Sequence, residues 1–454
     1  MADIKPFKAI VYNQDKFSDL SKLICPPYDV IDSKSGLKYY NSTDYNAIHL
    51  ILPGLRHLAK TYALSCADAG TSRSGREDKY AYAAQKLNEW IESEVLKKDN
   101  SDAVYFYEQD YAYAGERKKR MGFFALLRLT GPDKEPSAKG GKVYAHEHTQ
   151  LGPKEDRLEL LNHVKANLSP IFVLFPDKNH IISRAYEKCR DQSCFVEIEC
   201  ESIRHKLWRI TDEKMTSQII KSLSLSDVFI ADGHHRYEVA CNFRSLMRQK
   251  LGNPDRELPS DYVMAYFTGM HSSGLTILPT HRVVKFVKKD IYDKMMDNLA
   301  EYFDIYKADH RADLFIMLGK AAKNEQVLGL YRENKFFLLR LKSRIDINKI
   351  IDVNKPREYK KLAVVILNRL IIGKILQYEE KDLKSENLFY TDSADLAINM
   401  VNNKEAMLAF FVNPVKIQEM ADLALQGVRL PPKSTFFYPK LPTGLLIYKF
   451  DGQE

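Results

Sequence analysis

The sequence predicts an α+β protein with mixed sheets, on three observations. Strand-like and helix-like segments are intermixed without the regular strand–helix–strand rhythm of a doubly wound sheet. The composition is that of a globular chain, with 45% hydrophobic and 28% charged residues. The character of the chain changes near Lys288, which divides it into a region 1–287 carrying the chemistry-bearing motifs and a C-terminal α+β region 288–454. At ~150 residues per domain, the 454 residues make about three domains, or two with one large.

Along the first region, Leu87, Trp90, Ile91 and Val95 mark one face of a helix. AVYFYEQDYAYA, GERKKR and MGFFALLRLT read as strand, turn and strand over 103–130. The turn-rich GPDKEPSAKGGK reads as a mobile loop. A short helix is expected at 157–166, strands at SPIFVLF and LWRI, and a helix near 214–224. The buried strand DVFIA turns into a helix at Asp232, and that helix runs towards Leu251. VMAYFTG and LTILPTHRVV are two further strands. In the second region, Ile291, Met295, Leu299 and Phe303 form an amphipathic helix capped by Asp290. VLGLY and KFFLLRL form a hairpin, YKKLAVVILNRLIIGKIL a buried helix, and VKIQEMADLALQG a helix stopped by Gly427. The apolar excess of these helices reads equally as a homodimer surface.

The charge balance is 68 − 60 = +8, with basic residues dispersed, which argues against a nucleic-acid binder. The dense run 117–120 reads as a solvated hairpin tip. Six cysteines occur without a Cys-x-x-Cys pair or a completed zinc spacing. No apolar leader core and no membrane-length apolar run is present, so a cytoplasmic protein is expected. Walker, kinase, G-x-S-x-G and H-E-x-x-H motifs are absent.

Chemistry concentrates in a few places. ADGHHRYE sets Asp232, Gly233, His234, His235 and Arg236 at a strand-to-helix junction. A helix N-terminus offers unpaired N–H groups and partial positive charge, and Arg matches phosphate bidentately. Asp232 suits a magnesium ion, a histidine or a proton. In YAHEHT, His146 and His148 alternate with Glu147. Zinc ligation, phosphate chemistry with Glu147 as base, and a solvent-facing strand end are all open there. Thr149 follows at once. In GPKEDR, Lys154 and Arg157 lie one helical turn apart and suit one anion. CPPYDV places Tyr28 and Asp29 in a rigid turn, and LPTHRVV offers His281 and Arg282 at a strand end. PPKSTFFYPKLPTG adds Lys433, Ser434, Thr435, Tyr438 and Lys440.

KPFKA, CPPYDV, HEHT, PKEDR, ADGHHRYEVA and PPKSTFFYPKLPTG together resemble, in order and over about residues 4–450, one large prokaryotic and protist family long labelled a domain of unknown function. The resemblance implies a kinase that phosphorylates free L-serine to O-phosphoserine with pyrophosphate and Mg2+. The DGHHR run also resembles the archaeal ADP-dependent free-serine kinases of the ParB/sulfiredoxin-like superfamily, which implies that type of core. Carried over, Asp232, His234, His235 and Arg236 would hold the phosphate and Glu147 would be the upstream acid; from the residues themselves, Glu147 as base, Asp232 and His234 are expected to be catalytic, with Asp232 holding the metal. His146, His148, Lys154, Arg157, Gly233, His235 and Arg236 hold phosphate. Tyr28, Asp29, Thr149, His281, Arg282 and Lys433 are expected at the substrate.

Other classes make different forecasts. An ADP- or ATP-dependent serine kinase keeps the acceptor and changes the donor. A pyrophosphate or nucleotide hydrolase releases phosphate without serine. A zinc hydrolase carries bound metal. A non-catalytic ParB-like nucleotide-binding regulator binds with steep salt dependence.

Overall fold

The computed structural model describes residues 3–56, 58–59, 78–130, 142–149, 151–224, 226–321, 325–351, 353–379 and 387–450. The expected loop over 131–142, apart from Lys142, and Cys66 lie outside the described residues. The chain forms two compact units. One comprises Met1–Ala145, Thr149–Thr276 and Pro439–Glu454, and the other His146–His148 and Ile277–Tyr438. The second unit takes up the chain at Ile277 and hands it back at Pro439.

The first unit is built on a nine-stranded mixed sheet. Its path runs Val143–Ala145, Val228–Asp232, Ile171–Phe175, Tyr262–Gly269, Glu116–Arg128, Val104–Tyr113, Ile203–Ile210 and Val196–Cys200, with Ile4–Lys5 paired to Glu116–Arg128. Val228–Asp232 is parallel to Val143–Ala145, and Ile171–Phe175 is parallel to Tyr262–Gly269. The other pairs are antiparallel. Alternate residues such as Val104, Phe106, Phe123, Ala125, Val173 and Ile230 build one core with helix residues Ile181, Ala185, Ile219, Tyr237 and Ala240.

The expected hairpin is present, but its tip is elsewhere. Ala114 and Gly115 both take positive φ, 53° and 81°, the geometry of a two-residue turn that follows strand twist. The returning strand therefore begins at Glu116, and the basic run 117–120 lies within it. Arg120 is completely buried, so the solvated-tip reading fails at that residue.

The second unit holds a six-stranded antiparallel sheet in the order Phe303–Ala308, Lys335–Leu341, Val327–Arg332, Leu408–Phe411, His281–Val284 and Leu388–Thr391. Leu314, Leu318, Leu338, Ala397 and Phe411 share its core. The helix Lys289–Tyr302 follows the expected spacing, but Lys288 is its N-cap residue and Asp290 sits in the first turn. The long apolar stretch is buried as expected, yet it is not one α-helix. It divides into Arg357–Lys360, Ala363–Ile366 and a π-helical Leu367–Ile375. Ile417–Leu425 ends before Gly427, whose φ is +69°.

Candidate functional site

Four buried residues, Val228 to Ala231, leave Asp232 at the end of its strand. Gly233 follows at φ 86° and ψ 31° as the N-cap of the helix His234–Lys250. That left-handed conformation suits glycine, and a Cβ there would also come within 3.0 Å of the Arg236 Cζ. Gly233 supplies no side chain to cap the helix, and a helix start is the end whose N–H groups and partial positive charge suit an anion.

Asp232 is the hub of this junction. Its Oδ2 accepts from an Arg236 Nη2 at 3.2 Å, and its Oδ1 accepts from Lys440 Nζ at 3.3 Å. Burial opposes the charge on Asp232, but Lys440, Arg236 and His234 outweigh it and hold the carboxyl well below the usual carboxylate range. Asp232 therefore stays ionised and fixes two cations. Arg236 also donates to the Pro170 carbonyl.

Beside this junction lies a half-open cleft lined by Tyr28, Arg157, Ser169 and Arg236 and by apolar Ile51, Leu161, Val164 and Val239, among others. Tyr28 stands in the short helical turn Tyr28–Val30. The Arg157 guanidinium lies over the Tyr28 ring, 4.5 Å from its centroid. Burial, then Asp29, push the Tyr28 phenol up to about 12, against the pull of Arg236 and Arg157. Asp29 itself is exposed.

The helix Leu151–Val164 carries Lys154 and Arg157 as the sequence suggests, but each meets a different carboxylate. Arg157 Nε donates to Asp156 Oδ2 at 3.0 Å, and its Nη1 to the Ile51 carbonyl at 2.6 Å. Asp156 Oδ1 also accepts from Lys79 Nζ at 2.7 Å and Tyr80 Oη at 2.8 Å. Against the burial that opposes it, Arg157 and Lys79 hold Asp156 down to about 2. Lys154 Nζ and Thr149 Oγ1 both donate to Glu238 Oε2, at 3.0 and 2.6 Å. Glu238 escaped the sequence reading, although it lies one helical turn after His234.

The remaining expected residues belong to the second unit. His146 is buried and its Nε2 is 3.0 Å from Thr435 Oγ1, whereas His148 is exposed. Glu147 Oε1 accepts from the Lys433 backbone N–H at 2.9 Å. Arg282 is fully buried over the Tyr390 ring, and its Nη2 donates to the Lys433 carbonyl at 3.2 Å. Burial lowers the Arg282 guanidinium to about 10, with Tyr390 and Glu147 opposing. The loop carbonyl and amide of Lys433 thereby link Arg282 to Glu147. The Lys433 backbone supplies both contacts, which residue types alone could not disclose.

His281 is buried, and burial followed by Arg282 lowers its imidazole to about 4. Burial followed by Arg120 does the same to His205. Both rings are neutral at physiological pH, so His281 is not an anion-binding cation there. The unfolded chain takes up these protons near pH 6.5, while the folded chain refuses them until about 4. Their contribution is complete above ~6.5 and is lost as pH falls towards 4. We expect Tm to decline over that window and to decline less in a His281→Gln variant. Parallel Tm–pH profiles of the two proteins would overturn this.

The metal expectations do not fit these residues. No group of three or more His, Cys, Asp or Glu able to hold a metal occurs among the described residues, and both Asp232 oxygens already accept from cations. Among the described residues, no helix is long and apolar enough to cross a membrane.

A family model described as "Protein of unknown function (DUF1015)" matches residues 4–365. No curated protein matches the chain significantly. Among solved structures, a free serine kinase in complex with AMP is 14% identical, with 70% of this chain and 98% of that chain covered at a TM-score of 0.35. A conserved hypothetical protein from Pyrococcus furiosus gives 14% identity, 70% and 93% coverage and a TM-score of 0.35. C-terminally truncated SbnI from Staphylococcus aureus gives 10%, 72% and 87%, and 0.34. Solved structures named free serine kinase hold AMP or ADP. That finding overturns the expectation of pyrophosphate with Mg2+, and with it the pyrophosphate partner.

Proposed function

The chain belongs to the DUF1015 family, which is defined by no activity, and from that premise we propose on the strength of the site that it is a nucleotide-dependent phosphotransferase acting on free L-serine. The carrying observation is the Asp232–Gly233 junction, where an uncapped helix start meets Arg236 and Lys440 at the side of a largely apolar cleft. The cationic end suits phosphate groups, and apolar walls suit a nucleoside. The acceptor comes from the motif resemblance.

In this reading Asp232 does not take a proton. Held ionised between two cations, it orients Arg236 and Lys440 towards the donor phosphates. Arg236, His234 and His235 stabilise charge that spreads over the transferred phosphoryl group. The serine hydroxyl oxygen forms the new P–O bond, the bond to the leaving nucleotide breaks, and the hydroxyl proton goes to a base.

The test is O-phosphoserine formation from L-serine with ADP or ATP in separate reactions. Product with either nucleotide is the expected result. Product with pyrophosphate and neither nucleotide would overturn the donor assignment. Phosphate release that serine does not alter would replace the kinase with a hydrolase.

A further inference from the structure

Arg120 is a guanidinium in the interior of the first unit, fully buried on the strand Glu116–Arg128. Such a charge is costly to desolvate, and an apolar side chain of similar volume would serve packing as well or better. No salt bridge to Arg120 occurs among the described residues. Instead its guanidinium rests on aromatic faces, 4.7 Å from the Phe172 centroid and 5.8 Å from that of Tyr266. Its Nη2 hydrogen bonds lead to one place, whereas Nε and Nη1 are buried without a hydrogen-bond partner. One Nη2 donates to Gln109 Oε1, its cross-strand partner, and to the Pro439 carbonyl at 2.5 Å. Gln109 Nε2 donates in turn to the Lys440 carbonyl at 3.1 Å.

Two consecutive carbonyls of the C-terminal segment are thus gripped by one buried polar pair. Pro439 has no N–H, so its carbonyl is the hydrogen-bonding group its backbone can offer. The outcome of the grip is the position of the next side chain, because Lys440 Nζ reaches Asp232 Oδ1. Asp232 is also the register partner of Phe172, the ring beneath Arg120.

We infer that Gln109 and Arg120 are positioning residues that clamp the Pro439–Lys440 backbone and so deliver the Lys440 ammonium to the Asp232 junction. Neither needs to touch a ligand. The clamp sets how much positive charge the junction presents to an anion, and it does so through a segment remote in sequence. The consequence for ADP rests on the proposed nucleotide site, whereas the clamp itself does not.

Two measurements separate these layers. The first is the coupling between Asp232→Asn and Lys440→Met in urea unfolding, measured in the native background and again with Arg120→Met. The clamp requires a favourable coupling in the native background that falls by at least half in Arg120→Met. Gln109→Met, which leaves Arg120 in place, should reduce it as well and guards against a folding defect of the first variant. No coupling in the native background, or coupling unchanged in both variants, overturns the inference. The second is ADP affinity by calorimetry. Loss of a charge-assisted contact should weaken ADP about tenfold in Lys440→Met. Arg120→Met should weaken it similarly, and the double variant no more than either. Additive losses overturn the inference. If native protein does not bind ADP while the unfolding coupling behaves as stated, the nucleotide reading fails and the clamp stands.

Discussion

Replacing Arg236 by alanine should lower kcat for O-phosphoserine formation by about a hundred- to a thousandfold, with a smaller change in the KM for serine. The guanidinium sits in the first turn of a helix that starts at an uncapped glycine. It is oriented from two sides, by Asp232 Oδ2 and by the Pro170 carbonyl. A planar donor group fixed in this way is preorganised for charge that grows on phosphoryl oxygens in the transition state, so its removal costs rate more than ground-state binding. Lysine at 236 should recover only part of the loss, since a point charge on a flexible stem cannot serve both anchors and the phosphate. Gly233→Ala should behave as a milder version of the same defect. It places a side chain at φ 86° and pushes a Cβ within 3.0 Å of Arg236 Cζ. Steady-state kinetics on folded protein, checked by an unchanged circular dichroism spectrum, provides the measurement. A kcat within threefold of the native value would remove Arg236 from the machinery.

The legible part of this site was local. A buried strand, one acidic residue, one glycine and a periodic helix follow each other without a gap, so Asp232 to Arg236 could be placed from the sequence. Glu238 lay one turn further on and was missed because a glutamate on a helix face carries no signal by itself. Lys440 was legible as one of several cations in a proline-rich stretch, but its partner is 208 residues away, and no local period encodes that pairing. Arg120 was misread for a specific reason. A basic run beside a glycine resembles a turn, yet the positive φ values of Ala114 and Gly115 complete the turn before the run begins. Once the strand starts at Glu116, alternation sends Arg120 inward. The long apolar segment of the second unit shows the converse limit. Its burial follows from composition, whereas its π-helical turns depend on packing that periodicity does not report.

The largest stability effect should come from Asp261→Ala, at about 3–5 kcal/mol by urea unfolding. Asp261 is fully buried, and Oδ1 accepts from Arg244 Nε at 3.0 Å and Arg248 Nε at 2.8 Å. Oδ2 accepts from Arg248 Nη2 at 2.5 Å and from the Leu258 N–H at 2.9 Å. Burial opposes its charge, but the Arg248 and Leu258 hydrogen bonds and Arg244 hold the carboxyl below its ordinary value. Its contribution is therefore present above ~3.9 and is lost as pH falls through the lower folded value. Truncation leaves two guanidiniums and a backbone donor facing a cavity. Both arginines retain some exposure, at 29% and 22% of their side chains, so partial rehydration favours the lower end of the range. Asparagine keeps the shape and the acceptor but not the charge, and should cost less. A loss below ~1 kcal/mol, the scale of exposed pairs, would mean that the arginines find water without penalty. Arg244 and Arg248 lie on the same helix, His234–Lys250, that begins at Gly233. Asp232 engages the first turn of that helix and Asp261 its last turns, so the far anchor holds the scaffold while the near one holds the charge. Asp261→Ala should accordingly lower the urea midpoint far more than it weakens ADP binding in the protein that stays folded, and Asp232→Asn should do the reverse.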